Sequence, residues 1–91
     1  MFREKIKVKG KSGIVHVVEV VKLGDEKYIY IDLERESTVK VLSKIILGYD
    51  TGLKIYVKAK KLRWDFIEEA LGKLGGIVEV SDAFVKVPTI A

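Results

Sequence analysis

The chain contains no cysteine, asparagine or glutamine, and only one proline, one histidine and one tryptophan. Without cysteine there are no disulfides and no thiolate metal sites, which suits a reducing compartment. Arginine is scarce as well. Arg3, Arg35 and Arg63 are three of 17 basic residues, and the rest are lysine. Lysine is a flexible point charge, whereas arginine makes the planar bidentate contacts that read base edges. Any nucleic-acid contact is therefore expected to be to the phosphate backbone. No stretch approaches the roughly 18 continuous apolar residues of a membrane span. The N-terminus, MFREKIKVKGK, lacks the apolar core of a signal peptide. The expected location is the cytoplasm, with no membrane partner.

Losing the thermolabile residue types while being rich in Lys, Glu, Ile and Val is the composition of a heat-adapted protein. Heat adaptation itself raises the lysine count, so lysine carries less weight here as a sign of nucleic-acid binding. What remains is ordinary globular material: 91 residues, 48% hydrophobic and 33% charged, with a formal net charge of +4. That length supports a single domain over residues 1–91 with one core. The positive excess favours encounters with phosphates or acidic surfaces and says nothing about fold.

Periodicity gives the elements. Residues 3–9, 14–22 and 27–33 read as three strands, separated by turns at Gly10–Gly13 and Leu23–Glu26. They are expected to form an antiparallel meander. The period then becomes helical: Val39, Val41, Leu42, Ile45 and Ile46 share an arc, Ser37 is the expected N-cap, and Gly48 the stop. A hairpin turning at Tyr49–Gly52 is the competing reading. Residues 53–60 form a fourth strand and residues 63–74 a second helix, with Trp64, Ile67, Ala70, Leu71 and Leu74 on one side and Phe66 at its margin. Asp65, Glu68 and Glu69 lie where its dipole favours carboxylates. Residues 77–87 form a last strand, bent at Ser81–Asp82 where the alternation changes phase and stopped by Pro88. The result is an α+β fold: a single mixed sheet in the order β-β-β-α-β-α-β, with both helices on one face. Right-handed crossovers make the third, fourth and fifth strands parallel where they are neighbours.

No catalytic, metal or cofactor motif is present. Gly10-Lys11-Ser12 matches the end of a phosphate-binding loop, but the required earlier glycine is Lys5, and a strand follows where a helix is needed. His16 is alone and shares the apolar register of Ile14 and Val18, which makes it a core or interface histidine. Glu34 and Glu36 flank Arg35, and Glu68–Glu69 sit on a helix; neither pair is placed for acid–base work. An enzyme is therefore not expected.

Two surfaces carry the functional expectation. Lys5, Lys7 and Lys9 in the first strand and Lys54, Lys58 and Lys60 around the fourth alternate with apolar residues, and Lys61 continues the run. Tyr28, Tyr30 and Tyr56 fall in the same phase, on the side turned away from the helices. Lysines around aromatic rings on a sheet are the ingredients of a platform for single-stranded nucleic acid. They are equally the ingredients of a protected edge and a soluble sheet. The second surface is the second strand, apolar on both sides. Ile14, Val18 and Val20 point one way, and Val15, Val17 and Val21 the other. The hairpin register decides which set joins Ile6 and Val8 under the helices. These six residues are expected to form a strip covered by a second copy of the chain, a homodimer.

Overall fold

The computed structural model describes residues 2–60, 65–80 and 83–88, without the side chains of Phe2, Asp65 and Phe66. Lys61, Trp64 and Ser81–Asp82 lie outside the described residues. Among the described residues six strands and two helices follow in the order β1 (Phe2–Lys9), β2 (Val15–Leu23), β3 (Glu26–Asp32), α1 (Thr38–Thr51), β4 (Lys54–Ala59), α2 (Asp65–Leu74), β5 (Gly76–Val80) and β6 (Ala83–Val87). The strands lie in sequence order in one sheet. The β3–β4 and β4–β5 pairs are parallel and the others antiparallel. The architecture is the expected α+β fold with one mixed sheet.

Its tail differs in one respect. The single bent strand over 77–87 is two antiparallel strands, with Val80 paired to Ala83 and Gly76 to Val87. The phase change marked a reversal of the chain rather than a bulge.

The first-hairpin register is settled by Ile6 facing Val18 and Val8 facing His16. Val18 and Val20 therefore go under the helices, while Val15, Val17 and Val21 share the far face with the lysines. The main core combines Val18, Val20, Ile29, Ile31, Ile55, Val57 and Val78 from the sheet with Val41, Ile45, Ile67, Ala70 and Leu71 from the helices. A branched side chain buried this fully contributes roughly 1.5–3 kcal/mol by removal from water.

Ser37 caps α1 as expected, accepting from the Lys40 N–H at 3.2 Å. Gly48 does not stop the helix. The helix continues to Thr51 and ends at Gly52, whose φ of 75° places it in the left-handed region that glycine tolerates. Gly48 is an internal contact: a Cβ there would lie 2.8 Å from Leu74 Cδ1. The helix also divides its apolar residues. Val41 and Ile45 are in the core, whereas Val39 and Ile46, expected beside them, are 74% and 67% exposed. The two sets occupy arcs roughly a third of a turn apart, and only one arc can face the sheet.

Candidate functional site

On the sheet face away from the helices, the lysines and tyrosines do come together. Tyr28 lies opposite Lys54, Tyr30 opposite Tyr56, and Asp32 opposite Lys58. The rings pack on one another: Tyr28 meets Tyr56 edge-on at 6.5 Å, Tyr30 lies 5.6 Å from Tyr56, and Phe84 of β6 meets Tyr56 at 6.4 Å. Tyr28 and Tyr56 form a second small cluster with Val21 and Ile77, and Tyr30 packs against it. Tyr28 and Tyr56 are 3% and 1% exposed. The Arg3 guanidinium covers the Tyr30 ring at 5.1 Å. Both buried hydroxyls are occupied, Tyr28 donating to Glu26 Oε2 and Tyr56 to Glu79 Oε1, the latter at 2.6 Å. Burial, reinforced by the Glu26 carboxylate, pushes the Tyr28 phenol up to about 12. Burial and Glu79 push Tyr56 up as well. Tyr30 is raised chiefly by burial. Tyr28 and Tyr56, buried in this way, offer no open face for a base, whereas Tyr30 stays partly exposed beside Arg3.

The cations on this face are partly neutralised. Lys54 meets Glu26 at 3.2 Å, Lys58 lies 3.9 Å from Glu79, and Arg3 lies 3.8 Å from Glu19. Lys60 is exposed just past β4, its backbone N–H donated to Glu34 Oε1 at 2.9 Å. Among the described residues Lys5, Lys7 and Lys9 form no ion pair. They make a charged row on the edge strand, opposite Glu19, Val17 and Val15.

The six apolar residues of the second strand do not form one strip. Val18 and Val20 are in the core and Val21 lies under the tyrosines, all at most 2% exposed. They are interior to the chain itself and unavailable to a partner. Ile14, Val15 and Val17 stay exposed at 58%, 59% and 65%.

The tip of the β1–β2 hairpin docks on the end of α1. Asp50 receives the Ser12 N–H at 2.8 Å and the Ser12 hydroxyl at 2.7 Å, and its Oδ2 lies 2.7 Å from His16 Nε2. The Lys11 N–H donates to the Asp50 carbonyl at 2.8 Å. These hydrogen bonds, His16 first and Ser12 next, hold the Asp50 carboxyl down to about 2. A Cβ at Gly10 would sit 1.9 Å from Asp50 Oδ2, so a larger residue there would displace the carboxylate from its place. The Gly10-Lys11-Ser12 turn does bind an anion, but the anion is the chain's own carboxylate. His16 is an interface histidine, between hairpin and helix.

This docking leaves a groove of about 670 Å³ lined by Ile14, His16, Ser43, Ile46, Leu47 and Tyr49. It continues onto the outer side of α1, where Val39, Leu42, Ile46 and Tyr49 are 74%, 41%, 67% and 37% exposed. The apolar surface missed from sequence is this helix stripe. Its signal is the 3-4-3 spacing of residues 39, 42, 46 and 49, but from sequence Val39, Leu42 and Ile46 share one arc with Val41 and Ile45, and Tyr49 falls only in the competing turn.

Near its middle, β2 parts from β3. Their pairing covers only Val20–Leu23 against Glu26–Ile29. Beyond it lies a crevice of about 340 Å³. Lys44 reaches into it, donating to the Tyr30 carbonyl at 2.6 Å and to Glu36 Oε1 at 2.9 Å. Glu36 Oε1 in turn accepts the Asp32 N–H at 2.8 Å.

Among the described residues no group of three or more His, Cys, Asp or Glu is placed to hold a metal ion, and no helix is long and apolar enough to cross a membrane. Comparison with known proteins finds no matching family model, no similar curated protein and no similar solved structure.

Proposed function

We propose that the protein is a small interaction domain that self-associates through the outer side of α1. The observation that carries this reading is the stripe Val39–Leu42–Ile46–Tyr49, four exposed apolar side chains at helix-seam spacing along one helix. The spacing is symmetric about its centre. A two-fold axis there sets Val39 against the partner's Tyr49 and Leu42 against the partner's Ile46, which is the self-complementarity an isologous interface requires. Ile14 lies alongside and extends the patch across the groove. Covering these side chains on both copies supplies several kcal/mol at about 25 cal/mol per Å² of apolar area.

Light scattering of the purified chain across a concentration series tests this. The expected result is a dimer that Ile46→Glu converts to monomer, raising the dissociation constant at least about 100-fold while leaving the monomer's fold intact, because Ile46 is solvent-facing. A wild-type monomer at millimolar concentration ends the proposal.

A second reading rests on the uncompensated row Lys5, Lys7 and Lys9. Three neighbouring ammonium groups on a strand support weak, sequence-tolerant contact with a phosphate backbone. Dimerisation would double the row.

A further inference from the structure

The first hairpin determines which way each peptide group of β2 points. The Gly10 N–H donates to the Ile14 carbonyl at 2.8 Å, and the same register pairs Val8 with His16 and Ile6 with Val18. Bonded and non-bonded pairs alternate along an antiparallel ladder. The even residues of β2 therefore bond to β1, and the N–H and C=O groups of Val15 and Val17 point the other way. β3 does not meet them, because its pairing with β2 ends at Val20–Ile29. Among the described residues no other group bonds them either.

The two sides of the split are treated differently. On β3, the Lys44 ammonium and the Glu36 carboxylate take the places a strand would have taken, on the Tyr30 carbonyl and the Asp32 N–H. On β2 nothing does so, and the Val15 and Val17 side chains beside the open edge are more than half exposed. An unpaired edge bordered by exposed apolar side chains is a template for strand addition.

Charge selects the occupant. Lys9 and Lys7 stand directly across from Val15 and Val17, and neither has an ion-pair partner among the described residues. The crevice beyond is nearly balanced, with Arg3, Arg35, Lys40 and Lys44 set among Glu19, Asp32 and Glu36, so the positive excess beside this edge is that of Lys7 and Lys9. We infer that the β2 edge at Val15–Val17 binds an extended acidic segment of another protein by strand addition, its main chain bonding these two residues and its carboxylates, on the face turned away from the helices, facing Lys7 and Lys9. A second copy of this chain fits the edge less well, since it would bring the same lysine row with it. The inference does not depend on the α1 stripe.

The probe is a fluorescent peptide of about eight residues, an ordinary strand length, alternating glutamate and valine. Anisotropy gives its affinity for the full chain, and amide hydrogen exchange read by NMR locates it. The expected result is saturable binding that slows exchange at Val15 and Val17 at least about tenfold, with no effect from a lysine–valine peptide of the same pattern. Val17→Pro removes a donor that β1 does not use, and should weaken the peptide about tenfold. Should that variant not fold, the same peptide N-methylated at alternate amides replaces it and should bind as poorly. Unchanged exchange at Val15 and Val17, equal binding of the lysine peptide, or no binding at millimolar peptide overturns the inference. Concentration-dependent protection of the two amides without peptide also overturns it, by placing a second copy on the edge.

Discussion

Replacing Lys44 by methionine tests whether the gap beside β3 is held by the Lys44–Glu36 pair. The Glu36 side chain is 10% exposed and the Lys44 side chain 26%, with Lys44 Nζ 2.7 Å from Glu36 Oε2. Methionine keeps most of the aliphatic stem and deletes the ammonium. A carboxylate is then left nearly buried without its counter-ion, and the Tyr30 carbonyl loses its donor. Breaking a fully buried pair in this way costs about 3–5 kcal/mol. Lys44 sits at the mouth of the crevice, where water can approach, which reduces the expected loss to about 2–3 kcal/mol. For a domain of this size that is a drop in Tm of roughly 10–20 °C. Urea denaturation and calorimetry would measure it. The sharper check is Glu36→Gln in both backgrounds. In the wild type it weakens an ion pair and should destabilise. Beside methionine it removes an unpaired buried charge while keeping an acceptor for the Asp32 N–H, and should restore about 1 kcal/mol or more. A loss below about 0.5 kcal/mol for Lys44→Met, or the same sign for Glu36→Gln in both backgrounds, refutes the reasoning.

Alkaline stability follows from the tyrosine cluster. The Tyr28 phenol keeps its proton to about 12 in the folded chain, against about 10 when unfolded. Below the unfolded value both states hold the proton and the contribution is intact. As pH rises from about 10 to about 12 only the unfolded state releases it, so stability falls by up to about 1.4 kcal/mol per pH unit. Denaturation profiles through this range should be steeper for the wild type than for Tyr28→Phe, and parallel profiles would contradict the burial argument. For the lysine row, anisotropy with a labelled single-stranded oligonucleotide at low salt should give log K falling with log salt at a slope of about −2, three ammonium groups at about 0.7 each. Triple replacement of Lys5, Lys7 and Lys9 by glutamine should abolish it, and absence of binding at roughly tens of micromolar protein would end that reading.

The architecture was readable because most elements announce themselves locally. The alternation in β1 and β4 and the Ser37 cap are signals within a few residues. The misread parts depend on contacts between distant residues. Val39, Val41, Leu42, Ile45 and Ile46 are alike in hydropathy, and only the position of the sheet decides that Val41 and Ile45 go inside. The hairpin register could not be read from β2, whose two faces are equally apolar; the Gly10–Ile14 pair decides it. The Asp50 cluster joins residues 34 and 38 positions apart along the chain, so no motif displays it. The tyrosines were placed on the right face, but their burial was not foreseen. It comes from neighbours on four other strands: Arg3, Val21, Ile77 and Phe84.

The distribution of charge bears on how the two proposed surfaces work together. The acidic residues of the open face are spread through its interior: Glu19 on β2, Glu26 and Asp32 on β3, and Glu79 on β5, each close to a cation. Little net charge is left at the centre, and the positive excess moves to the β1 edge. A lysine row on an edge strand repels the same row on another molecule, so β1 is a poor site for sheet-to-sheet self-pairing. The other long edge of the same hairpin, along Val15 and Val17, lies within reach of that field and carries no carboxylate of its own until Glu19. A row that discourages self-pairing at β1 therefore favours an acidic strand at β2. The self-association proposed above would fall to α1, on the opposite side of the sheet, where the stripe is uncharged. Two copies joined through α1 would keep both β2 edges open, and each dimer could hold two acidic segments at once.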